Sequence, residues 1–249
     1  MTLKVSIITA VFNRSDTIGH ALQSVHSQSW KNIEHIVIDG GSTDGTVRIV
    51  ESYRSKISVF ISEPDKGIYD ALNKGLSNAT GDVVGFMHSD DYFFDSDVVH
   101  RIALAFSDDS VDGIYGDLEY VSKDNINSVV RRWKSGTYLP SKLARGWMPP
   151  HPTLYLRRTV FEKLGGFDTS YRIAADYEAI LRYLALGKIR LAYIPEVLVK
   201  MRVGGESNRS LSRILLKSRE DYRALHNNGV GGIGTLLLKN FSKITQFFK

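Results

Sequence analysis

Four short apolar runs, separated by stretches with helical spacing, fill the first 91 residues. That alternation restricts the chain to an α/β fold: a mostly parallel central sheet with helices on both faces. Val5-Ser-Ile-Ile-Thr-Ala-Val11 and Ile33-Glu-His-Ile-Val-Ile38 are rich in β-branched residues and read as buried strands, with residues 57–61 and 83–87 as the third and fourth. Ser15 is placed to cap a helix whose Ile18, Leu22 and Val25 recur at i, i+4 and i+7. Residues 46–53 form a short helix. Ile68, Ala71, Leu72, Gly75, Leu76 and Ala79 line one face of a longer one, with glycine letting it lie close on the sheet.

In such sheets ligands bind beyond the carboxyl ends of the strands. Polar clusters fall at those ends: Asn13 and Arg14, Asp39 to Asp44, Glu63 to Lys66, and Ser89 to Asp91.

The second half is less regular. Residues 114–122 and 128–133 read as a hairpin added to the sheet. Gly146-Trp-Met-Pro-Pro-His-Pro152 holds three prolines in four positions and is expected to be extended rather than helical. A helix over 173–185 and an extended segment over 191–201 follow. From Asn208 a helix carries Leu211, Ile214, Leu215, Tyr222 and Leu225, with Arg209, Arg213 and Lys217 at i+4 steps. After a glycine-rich break, a last helix puts Leu237, Phe241, Ile244 and Phe248 on one side, with Lys239 and Lys243 elsewhere.

Charge divides unevenly. Residues 1–205 carry 24 basic and 24 acidic side chains, whereas residues 206–249 carry 8 and 3, so the net charge of +5 sits in the tail. The neutral body lacks a basic stripe, which argues against nucleic acid; the basic amphipathic tail favours an anionic membrane surface. Docking on the body or a homodimer also suits these helices. No run of about 18 apolar residues occurs and the first strand has no signal-peptide features, so a cytoplasmic protein, peripheral at the inner face of the membrane, is expected. With no cysteine, any metal is held by oxygen or imidazole.

Adjacent Asp90 and Asp91 repel each other at a strand end, and a divalent cation relieves that repulsion. Oxygen ligands select Mg²⁺ or Mn²⁺, which commonly bridge carboxylate to diphosphate. Asp39 and Asp44 bracket a turn that only glycine-rich sequence permits; it reads either as a plain left-handed turn with a helix cap or as a site where Asp39 accepts hydrogen bonds from a base or ribose. The run Gly40-Gly-Ser-Thr-Asp-Gly45 fails the dinucleotide-binding spacing, and no P-loop is present.

Taken in order, Ser6-Ile-Ile-Thr-Ala-Val-Phe-Asn13, Ile38-Asp-Gly-Gly-Ser-Thr-Asp-Gly-Thr46, Glu63-Pro-Asp-Lys-Gly-Ile-Tyr-Asp-Ala-Leu-Asn-Lys-Gly75, Ser89-Asp-Asp91, Gly165-Gly-Phe-Asp168 and Ala175-Asp-Tyr-Glu178 resemble the family 2 glycosyltransferases. The resemblance covers roughly residues 3–205 and is similar to bacterial enzymes of the colanic-acid, O-antigen and capsule type. It implies a GT-A fold over 1–205, with a nucleotide-sugar half (1–91) and an acceptor half (92–205); the basic helical tail (206–249) lies beyond it. It also implies a nucleotide-sugar donor, UDP-linked by preference, a Mn²⁺ or Mg²⁺ ion, and inversion at the anomeric carbon. The acceptor is a saccharide, expected on a polyprenyl diphosphate.

By position, the resemblance puts Thr9, Val11 and Asn13 around the base, Asp39 on uracil or ribose, and Lys74 toward the nucleotide or its phosphates. Asp90 and Asp91 match the last two places of the D-x-D-D metal motif, whose first carboxylate is His88 here. Asp176 matches the catalytic aspartate. His151 suits a structural or solvated histidine, a substrate contact or a further metal ligand, Trp147 a sugar platform or a core anchor, and Glu178 and Arg202 further contacts with acceptor or phosphate.

Two other readings use the same residues. A sugar nucleotidylyltransferase needs a glycine-rich basic loop after the first strand, and Ala10-Val-Phe-Asn-Arg-Ser15 has no glycine. A non-catalytic saccharide- or nucleotide-binding domain would account for His88 but leaves Asp90, Asp91 and Asp176 without a task.

Overall fold

The computed structural model describes residues 2–204 and 211–244. Strands β1 (Val5–Val11), β2 (Ile33–Asp39), β3 (Val59–Ser62) and β4 (Val83–Phe86) run parallel in the order β3-β2-β1-β4. Helices α1 (Ile18–His26), α2 (Thr46–Ser52) and α3 (Ile68–Asn78) connect them. The second half supplies β5 (Tyr92–Phe93), α4 (Val98–Ala105), β6 (Gly113–Val121), β7 (Val129–Trp133), β8 (Tyr155–Arg157), α5 (Arg158–Leu164), α6 (Ala175–Leu181), β9 (Leu191–Arg202), α7 (Leu211–Asn227) and α8 (Ile233–Ile244). Among the described residues all nine strands join one sheet, β3-β2-β1-β4-β8-β6-β9-β5, with β7 paired to β6 as a hairpin.

Burial on both faces explains the near-continuous apolar strands. Ile8, Ala10, Ile36 and Ile38 meet Ala71 and Leu72 of α3 on one side; Val5 and Ile7 meet Ala21 and Val25 of α1 on the other. Each fully buried aliphatic side chain contributes roughly 1.5–3 kcal/mol. Gly75 permits the close approach of α3, since a Cβ there would overlap Ile8 Cγ2.

Local differences from the sequence reading have local causes. Ser15 does not cap α1; its N–H is held by Asp44 Oδ2 (3.1 Å), which draws it into the neighbouring loop, and Thr17 stands at the cap position. The proline loop is extended up to Pro150 but then closes a 3₁₀ turn over His151–Thr153, because a proline near the start of a turn lacks only an N–H that the turn does not need. Helix α6 ends in a π-helical turn, Arg182–Leu186, before Gly187.

The C-terminal helices pack on the body. Ala224 and Leu225 join the core that contains Tyr171, Ala175 and Tyr177. Lys239 points inward: it is 3% exposed, 2.8 Å from Asp221 and 3.1 Å from the centre of the Tyr177 ring, so it is not available to a lipid surface. No helix among the described residues is long and apolar enough to cross a membrane. The boundary at 205/206, Asn208, Arg209 and Phe248, and the side chains of Leu211, Lys243 and Ile244, lie outside the described residues.

Candidate active site

The carboxyl ends of β1 and β2 are stitched together. Asn13 takes a left-handed conformation (φ 49°); its N–H donates to Ser42 Oγ (2.8 Å) and its Oδ1 accepts from the Thr43 N–H (2.9 Å). Asp39 Oδ2 accepts from the N–H groups of Gly41 and Ser42 (3.0 Å each) and from the Ser62 hydroxyl (2.8 Å). Gly41, at φ 85°, makes that turn possible. Asp39 Oδ1 is buried with no partner, an unsatisfied acceptor.

Thr9 and Val11 present no side-chain surface to a cleft. As i and i+2 of β1 they share one face of the sheet, and that face is covered. The Thr9 hydroxyl lies 3.1 Å from His35 Nε2, and Val11 packs among Ile18, Leu22 and Val50. Lys74 stands at the rim, 2.7 Å from Glu63 and 3.5 Å from Asp70, which raise its pKa.

Beyond β4 the chain turns through His88, Ser89, Asp90 and Asp91. Asp91 is 1% exposed and neither carboxylate oxygen has a hydrogen-bond partner. Burial first, and Asp90 next, push its pKa well up, against the opposing pull of Arg202. A carboxylate so placed requires a cation or a proton. Two adjacent carboxylates suit a hard divalent ion. Among the described residues no group of three or more acidic or histidine side chains is arranged to hold a metal ion. Arg202 braces this turn: its guanidinium donates to the Asp90 carbonyl and approaches His20 Nδ1 (2.7 Å), and it lies 5.1 Å from the Tyr92 ring centre. It is therefore occupied behind the turn and not extended toward a phosphate.

Across from this turn stands Asp176, in the first turn of α6. Tyr69 of α3 fixes it: the phenol lies 2.6 Å from the Ile173 carbonyl and 3.2 Å from Asp176 Oδ1. Asp176 lines a small cavity with His151, Phe86, Phe167 and Tyr183. The His151 ring stacks on Phe86 (5.5 Å) and stands 5.4 Å from His88; its Nε2 has no partner. Burial lowers the pKa of His151 to about 4 and also lowers that of His88, while Asp90 and Asp176 both pull His88 upward.

The two other proposed contacts have structural partners. Trp147 Nε1 donates to the Ser135 carbonyl (2.8 Å) and its ring stacks on Tyr138 (5.1 Å), as a core anchor does. Glu178 makes two 3.0 Å bonds with Arg182, whose guanidinium holds the carbonyls of Leu164 and Gly166. Asn73, next to Lys74, clasps Phe167 through both its N–H (2.9 Å) and its C=O (2.8 Å). Tyr69 and Asn73 act through long-range bonds to backbone, for which the sequence holds no spacing signal.

The family model for Glycosyl transferase family 2 matches residues 6–174, which contain both strand-end carboxylate clusters just described. The chain belongs to that family. An uncharacterized glycosyltransferase of Mycobacterium tuberculosis is 37% identical to this family 2 glycosyltransferase over 180 residues, 72% of this chain and 68% of that one. A PGL/p-HBAD biosynthesis glycosyltransferase of Mycobacterium bovis is 27% identical over 217 residues, 85% and 82% of the two chains. Solved structures share the fold at low identity. A mannosyltransferase from Pyrobaculum calidifontis in complex with GDP-Man and Mn²⁺ superposes with a TM-score of 0.69 at 17% identity, over 97% of this chain and 70% of that one. S. aureus TarS 1–349 in complex with UDP-GlcNAc gives 0.65 at 20% identity, over 92% and 66%. The family 2 glycosyltransferase thus has a GT-A-like α/β fold extended by C-terminal helices.

Proposed function

We propose that this glycosyltransferase is a metal-dependent inverting enzyme. It moves a hexose or N-acetylhexosamine from a UDP-sugar to a saccharide on a polyprenyl diphosphate, in the assembly of a bacterial surface polysaccharide. The observation that carries the reading is Asp91, buried beside Asp90 at the strand end with neither carboxylate oxygen hydrogen-bonded. Asp176 lines a cavity with His151, whose ring stands 5.4 Å from that of His88, two residues before Asp90.

Inverting transfer asks for a division of labour. Asp176 accepts the proton of the acceptor hydroxyl, whose oxygen bonds to the anomeric carbon as the bond from that carbon to diphosphate breaks; the electron pair departs with the diphosphate. Asp90 and Asp91 would hold a Mn²⁺ or Mg²⁺ ion, which supplies positive charge to the departing group. The unpartnered oxygen of Asp39 and the pre-formed Asn13 loop meet the nucleoside, and Lys74 exchanges Glu63 for a phosphate. GDP-Man with Mn²⁺ in one structural neighbour and UDP-GlcNAc in another support the donor and ion classes.

The outward side of α8 is assigned to an anionic lipid surface. Ile233, Leu237, Leu238 and Phe241 are each more than half exposed on that helix, in a segment whose charge excess is basic. Sedimentation with anionic vesicles should fall sharply in L237S/F241S; unchanged sedimentation removes the assignment.

Thermal shifts with UDP, GDP and dTDP, each with and without Mn²⁺, test the donor and the ion. A rise selective for UDP and dependent on Mn²⁺ is expected. Equal, metal-independent shifts would contradict both.

A further inference from the structure

We infer that α7 sets the position of Asp176 through Glu220, which makes Glu220 a positioning residue for sugar transfer. The inference rests on the reading of Asp176 as the base, and adds a residue beyond the matched region, which ends at 174.

The segment entering α6 has three N–H groups, on Arg172, Ile173 and Ala174, ahead of the first helical turn, where backbone donors lack intrahelical acceptors. Ala174 stands at the cap position and has no side-chain oxygen to offer. Glu220 supplies the acceptors from another element. Its Oε1 accepts from Arg172 and its Oε2 from Ile173 and Ala174, all at 2.9 Å, and the residue is 6% exposed.

Ile173 is thereby held at both ends, its N–H by Glu220 and its C=O by the Tyr69 phenol that also approaches Asp176. Two helices from opposite ends of the chain grip the residues leading to one carboxylate.

The rest of the same α7 face acts on the same segment. Arg223, three residues on, donates to Ser170 Oγ (2.8 Å) and covers the Tyr171 ring at 4.2 Å. Asp221 pairs with Lys239 of α8, whose ammonium lies on the ring of Tyr177, the neighbour of Asp176. A carboxylate that must meet an acceptor hydroxyl within hydrogen-bond reach tolerates little displacement, since a misplacement of about 1 Å costs on the order of 10²-fold in rate.

The test compares the full-length wild type with E220A, E220Q and D176N. Initial rates of UDP release are measured with UDP-glucose, UDP-galactose and UDP-N-acetylglucosamine, Mn²⁺ and water as acceptor. Amide hydrogen exchange is followed on the same proteins. E220A should lower kcat about 10- to 100-fold with donor KM within about twofold. E220Q, which keeps one carbonyl oxygen for two of the three N–H groups, should recover part of the loss. Exchange should quicken at 172–177 in E220A while β1 and β2 stay protected. Wild-type kcat in E220A with D176N inactive, or unchanged exchange at 172–177, overturns the proposal. Full turnover in D176N instead removes the role given to Asp176, leaving Glu220 a structural clamp only.

Discussion

The Tyr69 hydroxyl on α3 stands 3.2 Å from Asp176 Oδ1 on α6, joining the helix that follows β3 to the carboxylate of the opposite half. Tyr69→Phe should reduce turnover about tenfold, with UDP binding unchanged. The stability loss should be about 1 kcal/mol from the bond to Ile173, read from urea unfolding.

Thr9 and His35, both buried, continue to the half-buried His26, with His35 Nδ1 2.9 Å from His26 Nε2. Burial, then His26, lowers the pKa of His35 to about 3; burial, then Lys56, lowers that of His26 to about 4, beside the Tyr53 ring. Both lie below the ordinary 6.5, so the unfolded chain binds protons that the folded chain excludes. Stability is therefore full above about pH 6.5 and falls as pH drops toward 4, by up to about 1.4 kcal/mol per pH unit for each proton. Urea midpoints between pH 7.5 and 5 should fall, and H35Q should flatten the slope.

Gly75→Ala should destabilise the fold by about 1–3 kcal/mol, because its methyl group must displace Ile8 from the α3–β1 contact. The double variant G75A/I8V should regain part of the loss in the same urea measurement.

That glycine was legible in the sequence, as were β1, β2, α3, the β6–β7 hairpin and the extended chain of β9. Periodicity reports which side of an element is covered. Partners distant in the chain were not legible: Asp44 drawing Ser15 away from a cap, Glu220 beneath Ile173, and Asn73 around Phe167 depend on the fold bringing backbone donors within reach. Lys239 shows the same limit, since its place on the helix is readable but the buried Asp221 that turns it inward is not. The carboxylates at the strand ends stood out because the topology of a parallel sheet gathers them on one side.

Trp147→Phe should lower stability by about 1 kcal/mol through loss of the bond to Ser135, with sugar transfer nearly unchanged. A large rise in acceptor KM would instead make Trp147 a sugar platform.

Binding of UDP in the presence of Mn²⁺, titrated calorimetrically into D90N/D91N and D176N, separates the two carboxylate centres in one measurement. Near wild-type affinity in D176N and at least about a tenfold loss in D90N/D91N are the predicted results. Equal affinity in both variants, or the same affinity with the ion chelated, would contradict the assignment of Asp90 and Asp91 to the departing diphosphate.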